Sequence, residues 1–395
     1  MSDDVVLHGD VWDAKHGLRP DHRVVVSDGE IREVCEDAPS SSAEAYDVGF
    51  LSPGLVDMHV HYVWDGSADP VASLRAQSRA ETVVEAVQNA RRQLRAGVTT
   101  VRDVGSTDDV AITVGAAIRE GQIPGPRTFA SGRTIIITGG HDPFWGIESD
   151  GVDAVRSAVR TLRSRGADLI KVSATGGVYG QAVGEDPGAS ELSFEELDAV
   201  VDEAHRFDLQ VAAHAVGTEG IRNAVEAGVD TVEHGNLMDD ETLSLLIEKD
   251  VAYDPTVFIY RDIARSDSIP GYAAENARSV YERHAEVFAR AVENDARIVA
   301  GSDAGSPNLP HPGLHRELEC MVEFGQDPED ALAATTYNAA VQLDHPDLGV
   351  VEAGTPADVV GYSRDPRDDI GAVGSPSLVV KDGEVYRSPR GCSRV

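Results

Sequence analysis

Val56-Asp-Met-His59-Val-His61 is a short apolar run that closes on two histidines, and four later segments repeat its plan. They are Leu169-Ile-Lys171-Val-Ser, Val211-Ala-Ala-His214-Ala, Thr231-Val-Glu-His234-Gly and Ile298-Val-Ala-Gly-Ser-Asp303-Ala-Gly. Each has the length and branched apolar content of a buried β-strand, and each carries a potential metal ligand toward its end. His59 and His61 stand two residues apart, so on a strand both rings project to the same side.

Helical patterns separate these segments. One covers 76–96 and stops at Gly97, a residue suited to a helix C-terminus. Others cover 194–206, 218–227, 274–294, 314–324 and 328–343, and Ser193 followed by Glu196 reads as a capping box. Further strand patterns lie at 99–104, near 128–131 and near 251–253. Strand and helix alternate throughout, which predicts an α/β fold with a (β/α)8 TIM-like barrel over residues 54–345. Catalytic groups in such a barrel come from the C-terminal ends of different strands. His59, His61, Lys171, His214, His234 and Asp303 would then converge on one point, a donor set able to hold one or two divalent metals.

The two ends of the chain read as β structure. Val5-Val-Leu, Arg23-Val-Val-Val and Glu30-Ile-Arg-Glu-Val are strands, as are Ala357-Asp-Val-Val, Leu378-Val-Val and Glu384-Val-Tyr. Asp28-Gly29 and Asp382-Gly383 are hairpin signals, and Ser40-Ser-Ser-Ala is a polar loop. Residues 1–53 and 346–395 are therefore expected to form one small composite β-sandwich domain beside the barrel.

The net charge is −34, from 34 basic and 68 acidic residues. A surface of that sign repels nucleic acid and anionic membranes at long range, so neither is an expected partner. Among the basic residues only Lys15, Lys171, Lys249 and Lys381 are lysines. An acidic, lysine-poor surface suits a salt-rich, halophilic cytoplasm, where screening is strong. It also isolates Lys171, since a lysine inside an apolar strand pays for desolvation or loses its proton. Cys35, Cys320 and Cys392 show no paired spacing for a disulfide framework or a thiolate metal site. The start has no basic-then-apolar leader and no apolar run is long enough to span a bilayer, so a cytoplasmic location is expected. The expected partner is a small-molecule substrate, and a homo-oligomer is compatible with this reading.

Gly54-Leu-Val-Asp-Met-His59-Val-His61, Ile170-Lys171-Val, His214, Glu233-His234-Gly, Ser302-Asp303 and Gly354-Thr-Pro-Ala-Asp358-Val together resemble the amidohydrolase superfamily. Thr138-Gly-Gly-His141, Lys171-Val-Ser-Ala-Thr-Gly-Gly177-Val and His214-Ala look most like its imidazolonepropionase-like branch, which includes metal-dependent Xaa-Pro dipeptidases. The resemblance implies two divalent metal ions, zinc foremost, bridged by Lys171 after carboxylation by carbon dioxide. It assigns His59, His61 and Asp303 to one metal and His214 and His234 to the other, with a hydroxide between them. Asp303 would carry the proton from that hydroxide to a leaving nitrogen. The implied activity is hydrolysis of an amide C–N bond in a dipeptide, Xaa-Pro-like, or in an N-acyl amino acid. The alternatives are a cyclic-amide hydrolase or deaminase and a catalytically inactive scaffold. Mononuclear deaminases of the superfamily usually lack the strand lysine, and a scaffold would show losses in the donor set, which here is complete.

Three residues are candidates for substrate contact. His141 follows the third barrel strand and would meet a substrate carbonyl or carboxylate. Tyr179 belongs to the glycine-rich segment after the lysine strand. Arg102, at the end of the second strand, would hold a carboxylate or pair with Asp103 or another acid. The chain departs from some relatives at Val216-Gly217, where a tyrosine suited to a substrate carboxylate often follows His-Ala. That departure puts a proline-dipeptide preference in question.

Overall fold

The computed structural model describes residues 5–36, 44–180 and 185–389. The polar stretch 40–43 and Cys392 lie outside them, and Cys320 is a buried free thiol.

Both ends of the chain build one seven-stranded sheet. The first part supplies β1 (Val5–Asp13), β2 (Gly17–Ser27), β3 (Glu30–Cys35) and β4 (Glu44–Pro53), and the last part supplies Val359–Tyr362, Leu378–Lys381 and Glu384–Arg387. Val359–Tyr362 pairs antiparallel with β4, which pairs parallel with β1. The hairpins turn on Asp28-Gly29 and Asp382-Gly383, with φ of 54°, 87°, 47° and 75°. Two successive left-handed residues are what a tight hairpin turn needs, and Asp-Gly adopts them readily. The sheet curls over its own core. Ile31 N–H donates to Thr355 O at 2.9 Å, and Leu7, Val24, Ile31, Val359 and Val380 share one apolar cluster.

The barrel begins at once after β4. Its strands are β5 (Leu55–Val60), β6 (Val98–Asp103) and β7 (Arg127–Ala130), followed by two short strands, β8 (Ile135–Ile136) and β9 (Ile147–Glu148). Then come β10 (Ile170–Ser173), β11 (Val211–Ala215), β12 (Thr231–His234) and β13 (Ala252–Asp254). β5, β6 and β7 pair in parallel, as do β10 to β13. Asp168 N–H donates to Ala130 O at 2.9 Å and joins the two groups. The eighth position is held by residues 297–304, through parallel bridges of Ile298 to Tyr253 and of Ala304 to Val60. Met58 N–H to Ala300 O at 3.0 Å closes the ring. The strands are covered on both faces, which explains their unbroken apolar runs.

The helices follow their signals with two revisions. The helix expected over 76–96 runs Arg79–Arg95, starting at the capping box of Ser78 with Glu81, and a separate helix, Pro70–Ala76, precedes it. The pattern over 328–343 divides into Pro328–Ala334 and Tyr337–Gln342. Between them Thr335 turns to the first barrel strand: its O accepts Val56 N–H at 2.7 Å and its Oγ1 donates to Val56 O at 2.7 Å. That tertiary pairing takes backbone groups a continuous helix would use. The Ser193 and Glu196 box starts Phe194–His205 as read. Among the described residues no helix is long and apolar enough to cross a membrane.

Candidate active site

The C-terminal ends of the barrel strands bring His59, His61, Lys171, His214, His234 and Asp303 around one cavity of about 490 Å³. His59, His61 and Asp303 each offer a ligand atom within 4.8 Å of the others. Asp303 Oδ1 lies 3.4 Å from His61 Nε2 and 3.9 Å from His59 Nε2, and Ser306 Oγ donates to it at 2.8 Å. Close packing brings strand eight to β5 here: a Cβ on Gly301 would stand 2.5 Å from the His59 Cβ.

Each imidazole has one nitrogen occupied away from the centre, which frees the other. His59 Nδ1 meets Glu233 Oε2 at 2.7 Å, and His61 Nδ1 donates to Gly105 O at 3.1 Å. His214 Nε2 donates to Gly176 O at 3.1 Å, and His234 Nδ1 meets Thr256 Oγ1 at 2.7 Å. Such outer contacts select the tautomer and ring orientation that a metal ligand requires. Burial, followed by the charge of Lys171, lowers His59 to about 4. Burial and neighbouring imidazoles hold His214 and His234 well below the usual histidine range. All three are neutral at pH 7. Burial opposes charge on His61 as well, but its bond to Asp303 and the charges of Asp303, Asp103 and Asp142 together outweigh this and raise it. Asp303 is buried too, yet His59 and His61 keep its carboxyl below the usual range.

Lys171 is 2% exposed, and its Nζ has no hydrogen-bond partner. Burial lowers its pKa. An ammonium is costly there, whereas a carboxylated amine would turn the unpartnered nitrogen into an anion among neutral imidazoles. The donor set thus fits a pair of divalent metals by chemistry: imidazole nitrogens, a carboxylate, and one buried nitrogen without a partner. A second group, His59, Glu233 and Asp254, is also close enough to be a ligand set. Arg102 donates to Glu233 Oε1 at 2.6 Å, so that group is an ion-pair network instead.

Arg102 is the correction among the sequence candidates. It is 1% exposed and points into the barrel, donating to Met58 O at 2.6 Å and Thr231 Oγ1 at 2.9 Å as well as to Glu233. Its other neighbours, Asp168, Leu169 and Gln210, belong to the opposite mouth of the barrel. It pairs with an acid, as the alternative reading had it, and cannot hold a substrate carboxylate at this site. Tyr179 does line the cavity, but its hydroxyl donates to Asp69 Oδ1 at 2.6 Å and accepts from Val71 N–H at 3.0 Å, leaving the ring as the surface on offer.

His141 also lines the cavity, its ring stacked on His214 at 4.2 Å between centroids. Its Nδ1 is paired with Glu185, and Nε2 lies 3.3 Å from Asp142 Oδ1. Burial works against its charge, but Asp142 and Glu185 raise it to about 9, so it is an imidazolium at pH 7. Gly177 permits this arrangement, because a Cβ there would stand 2.2 Å from the His141 ring.

Several site residues escape sequence reading. Glu233 bridges Arg102 to His59, and His311 braces the His61 carbonyl at 3.2 Å. Trp64, Ile259, Tyr260 and Ile263 form apolar walls. The last three sit on helix Val257–Arg265, immediately after β13, so the strand-end rule was a usable signal for them. Asp142 was visible only as the neighbour of His141.

The sequence profile of the amidohydrolase family matches residues 50–386. A solved Xaa-Pro dipeptidase with methionine bound in its active site is 32% identical, with a TM-score of 0.89 over 98% of this chain and 100% of that one. Ochratoxinase of Aspergillus niger is 29% identical over 386 residues, 88% of this chain and 78% of the relative. Imidazolonepropionase of Idiomarina loihiensis is 23% identical over 393 residues, 89% of this chain and 88% of the relative. A family profile spanning most of the chain, matched by a barrel with its donors at the strand ends, places the protein: it belongs to the amidohydrolase family.

Proposed function

We propose that the protein hydrolyses an amide C–N bond, in a dipeptide or an N-acyl amino acid. Two divalent ions, zinc foremost, would be held by His59, His61, His214, His234, Asp303 and a carboxylated Lys171. The observation that carries this reading is the buried, unpartnered Lys171 Nζ within that donor set. When bound, the metals supply an acidified water and polarise the carbonyl under attack.

The chain's own residues do the rest. Asp303 is ionised and anchored by Ser306, so its carboxylate can accept a proton and deliver it to the departing nitrogen. His141 carries a fixed positive charge beside the cavity, where negative charge gathers on the carbonyl oxygen. Trp64, Tyr260 and Ile263 exclude water from the reacting bond. Likeness to a Xaa-Pro dipeptidase and to ochratoxinase supports amide chemistry. Likeness to imidazolonepropionase makes a cyclic amide the second reading.

The test is a screen of dipeptides, N-acyl amino acids and cyclic amides against metal-loaded protein in molar salt. Metal is counted per chain with and without bicarbonate. Two metals per chain with bicarbonate, fewer without it, and turnover of a linear amide are expected. One metal per chain, indifferent to bicarbonate, overturns the bridged centre.

A further inference from the structure

The cavity that holds the donors has an unusual charge balance. Among its described lining residues outside the donor set, the charged side chains are His141 and Asp142. His141 is already paired on both ring nitrogens, with Glu185 and with Asp142. Glu191 adds a further acid, accepting the His141 backbone N–H at 2.9 Å. Three acidic side chains therefore surround the one His141 ring. Val216 provides no hydroxyl for a carboxylate and is fully buried.

Asp142 is held in place by its backbone. It sits at φ 63°, and its carbonyl accepts Trp145 N–H at 3.2 Å and Gly146 N–H at 2.9 Å. Arg133 clamps the same turn by donating to Trp145 O at 2.8 Å and to Gly146 O. The side chain is buried against the cavity and meets His141 through Oδ1 only. Among the described residues no hydrogen bond reaches Oδ2. Trp64, Tyr179 and Tyr260 supply aromatic faces to the same cavity. A spare carboxylate oxygen in a cavity with aromatic walls can recognise an organic ammonium. An incoming carboxylate would meet like charge there.

We infer that Asp142 is an ammonium-binding specificity residue, and that the cavity selects substrates bearing a free amine over those in which the amine is acylated. This rests on the amide-hydrolase reading and divides its two substrate classes: dipeptides and aminoacyl amides are favoured, N-acyl amino acids are not.

Two measurements on metal-loaded protein test it. The first compares kcat/KM for leucine p-nitroanilide and N-acetyl-leucine p-nitroanilide at pH 7. The free amine should be better by about tenfold or more, as a charge-assisted hydrogen bond implies, and Asp142→Asn should collapse that ratio toward one. An equal or reversed preference in the parent protein, or a preference unchanged in Asp142→Asn, overturns the inference. The second is calorimetric binding of 2-phenylethylamine against 2-phenylethanol, which needs no turnover. The ammonium should bind about tenfold tighter or more, and Asp142→Asn should bring the two within about threefold. An alcohol that binds as tightly as the amine overturns the inference even if neither anilide is cleaved. Failure to cleave any amide, with the amine preference intact, overturns the amide-hydrolase reading alone.

Discussion

The barrel contains two layers of charged groups, and they differ in how completely those groups are partnered. Toward the N-terminal mouth, Arg102 donates to Met58 O, Thr231 Oγ1 and Glu233 Oε1, and Asp57 accepts Ser302 N–H at 2.8 Å and Ser302 Oγ–H at 2.6 Å. Burial opposes charge on Glu233, but Arg102, Lys171 and His59 together override it and lower the carboxyl to about 2, whereas burial pushes neighbouring Asp254 well up. Toward the C-terminal mouth, Lys171 Nζ has no partner, and four imidazoles each present a nitrogen to a shared centre. Paired charges stabilise a barrel, whereas unpaired donors await something to bind. Glu233 connects the layers, because its two oxygens hold Arg102 and His59.

This contrast can be broken most severely at Lys171. Lys171→Ala should abolish turnover and lower metal content, since the proposed bridging anion would be lost. Return of activity on adding short carboxylic acids would support the bridging role, and unchanged turnover and metal content would refute it. Asp303→Asn comes next. The four imidazoles and the carboxylated lysine proposed above would still hold metal, so metal content should change little while kcat falls by about 10²–10⁴-fold. Near-normal turnover would remove Asp303 from proton transfer.

In the lower layer the damage should be to stability. Arg102→Met removes the guanidinium that neutralises buried Glu233 and leaves it only the His59 contact, a loss of about 3–5 kcal/mol. The double variant Arg102→Met with Glu233→Leu should recover part of the melting temperature. It should not recover activity, because His59 loses its brace. A single variant that melts like the parent protein would mean the pair contributes nothing. The smallest effect concerns the surface around both layers. Screening length falls from about 30 Å at 0.01 M salt to about 3 Å at 1 M, so dilution exposes repulsion among the acidic side chains. Melting temperature and activity should fall together as salt is removed with metal kept saturating. A flat melting curve across that range would end the salt-adaptation reading.

Much of the site was legible before any coordinates. Strand periodicity placed His59, His61, Lys171, His214, His234 and Asp303 at the ends of buried segments, and a parallel barrel gathers such ends. The Asp-Gly hairpins and the Ser193 cap were equally readable, because each depends only on residues within a few positions. Local signals failed where a distant partner intervened. Thr335 broke a helix by pairing with Val56, 279 positions away. Arg102 had two readings at the sequence level, and Glu233, 131 positions further on, decided between them.

By itself, then, the sequence determined which atoms could bind metal and in what order along the chain, because side-chain chemistry and strand period are local properties. Tertiary structure alone decided which nitrogen of each histidine faces the centre, which of the two positive residues stays unpaired, and that Asp142 lies beside the substrate space. Those outcomes depend on contacts between strands that meet only when the barrel closes. Within the closed barrel a buried charge is either matched or available, and sequence spacing does not record which.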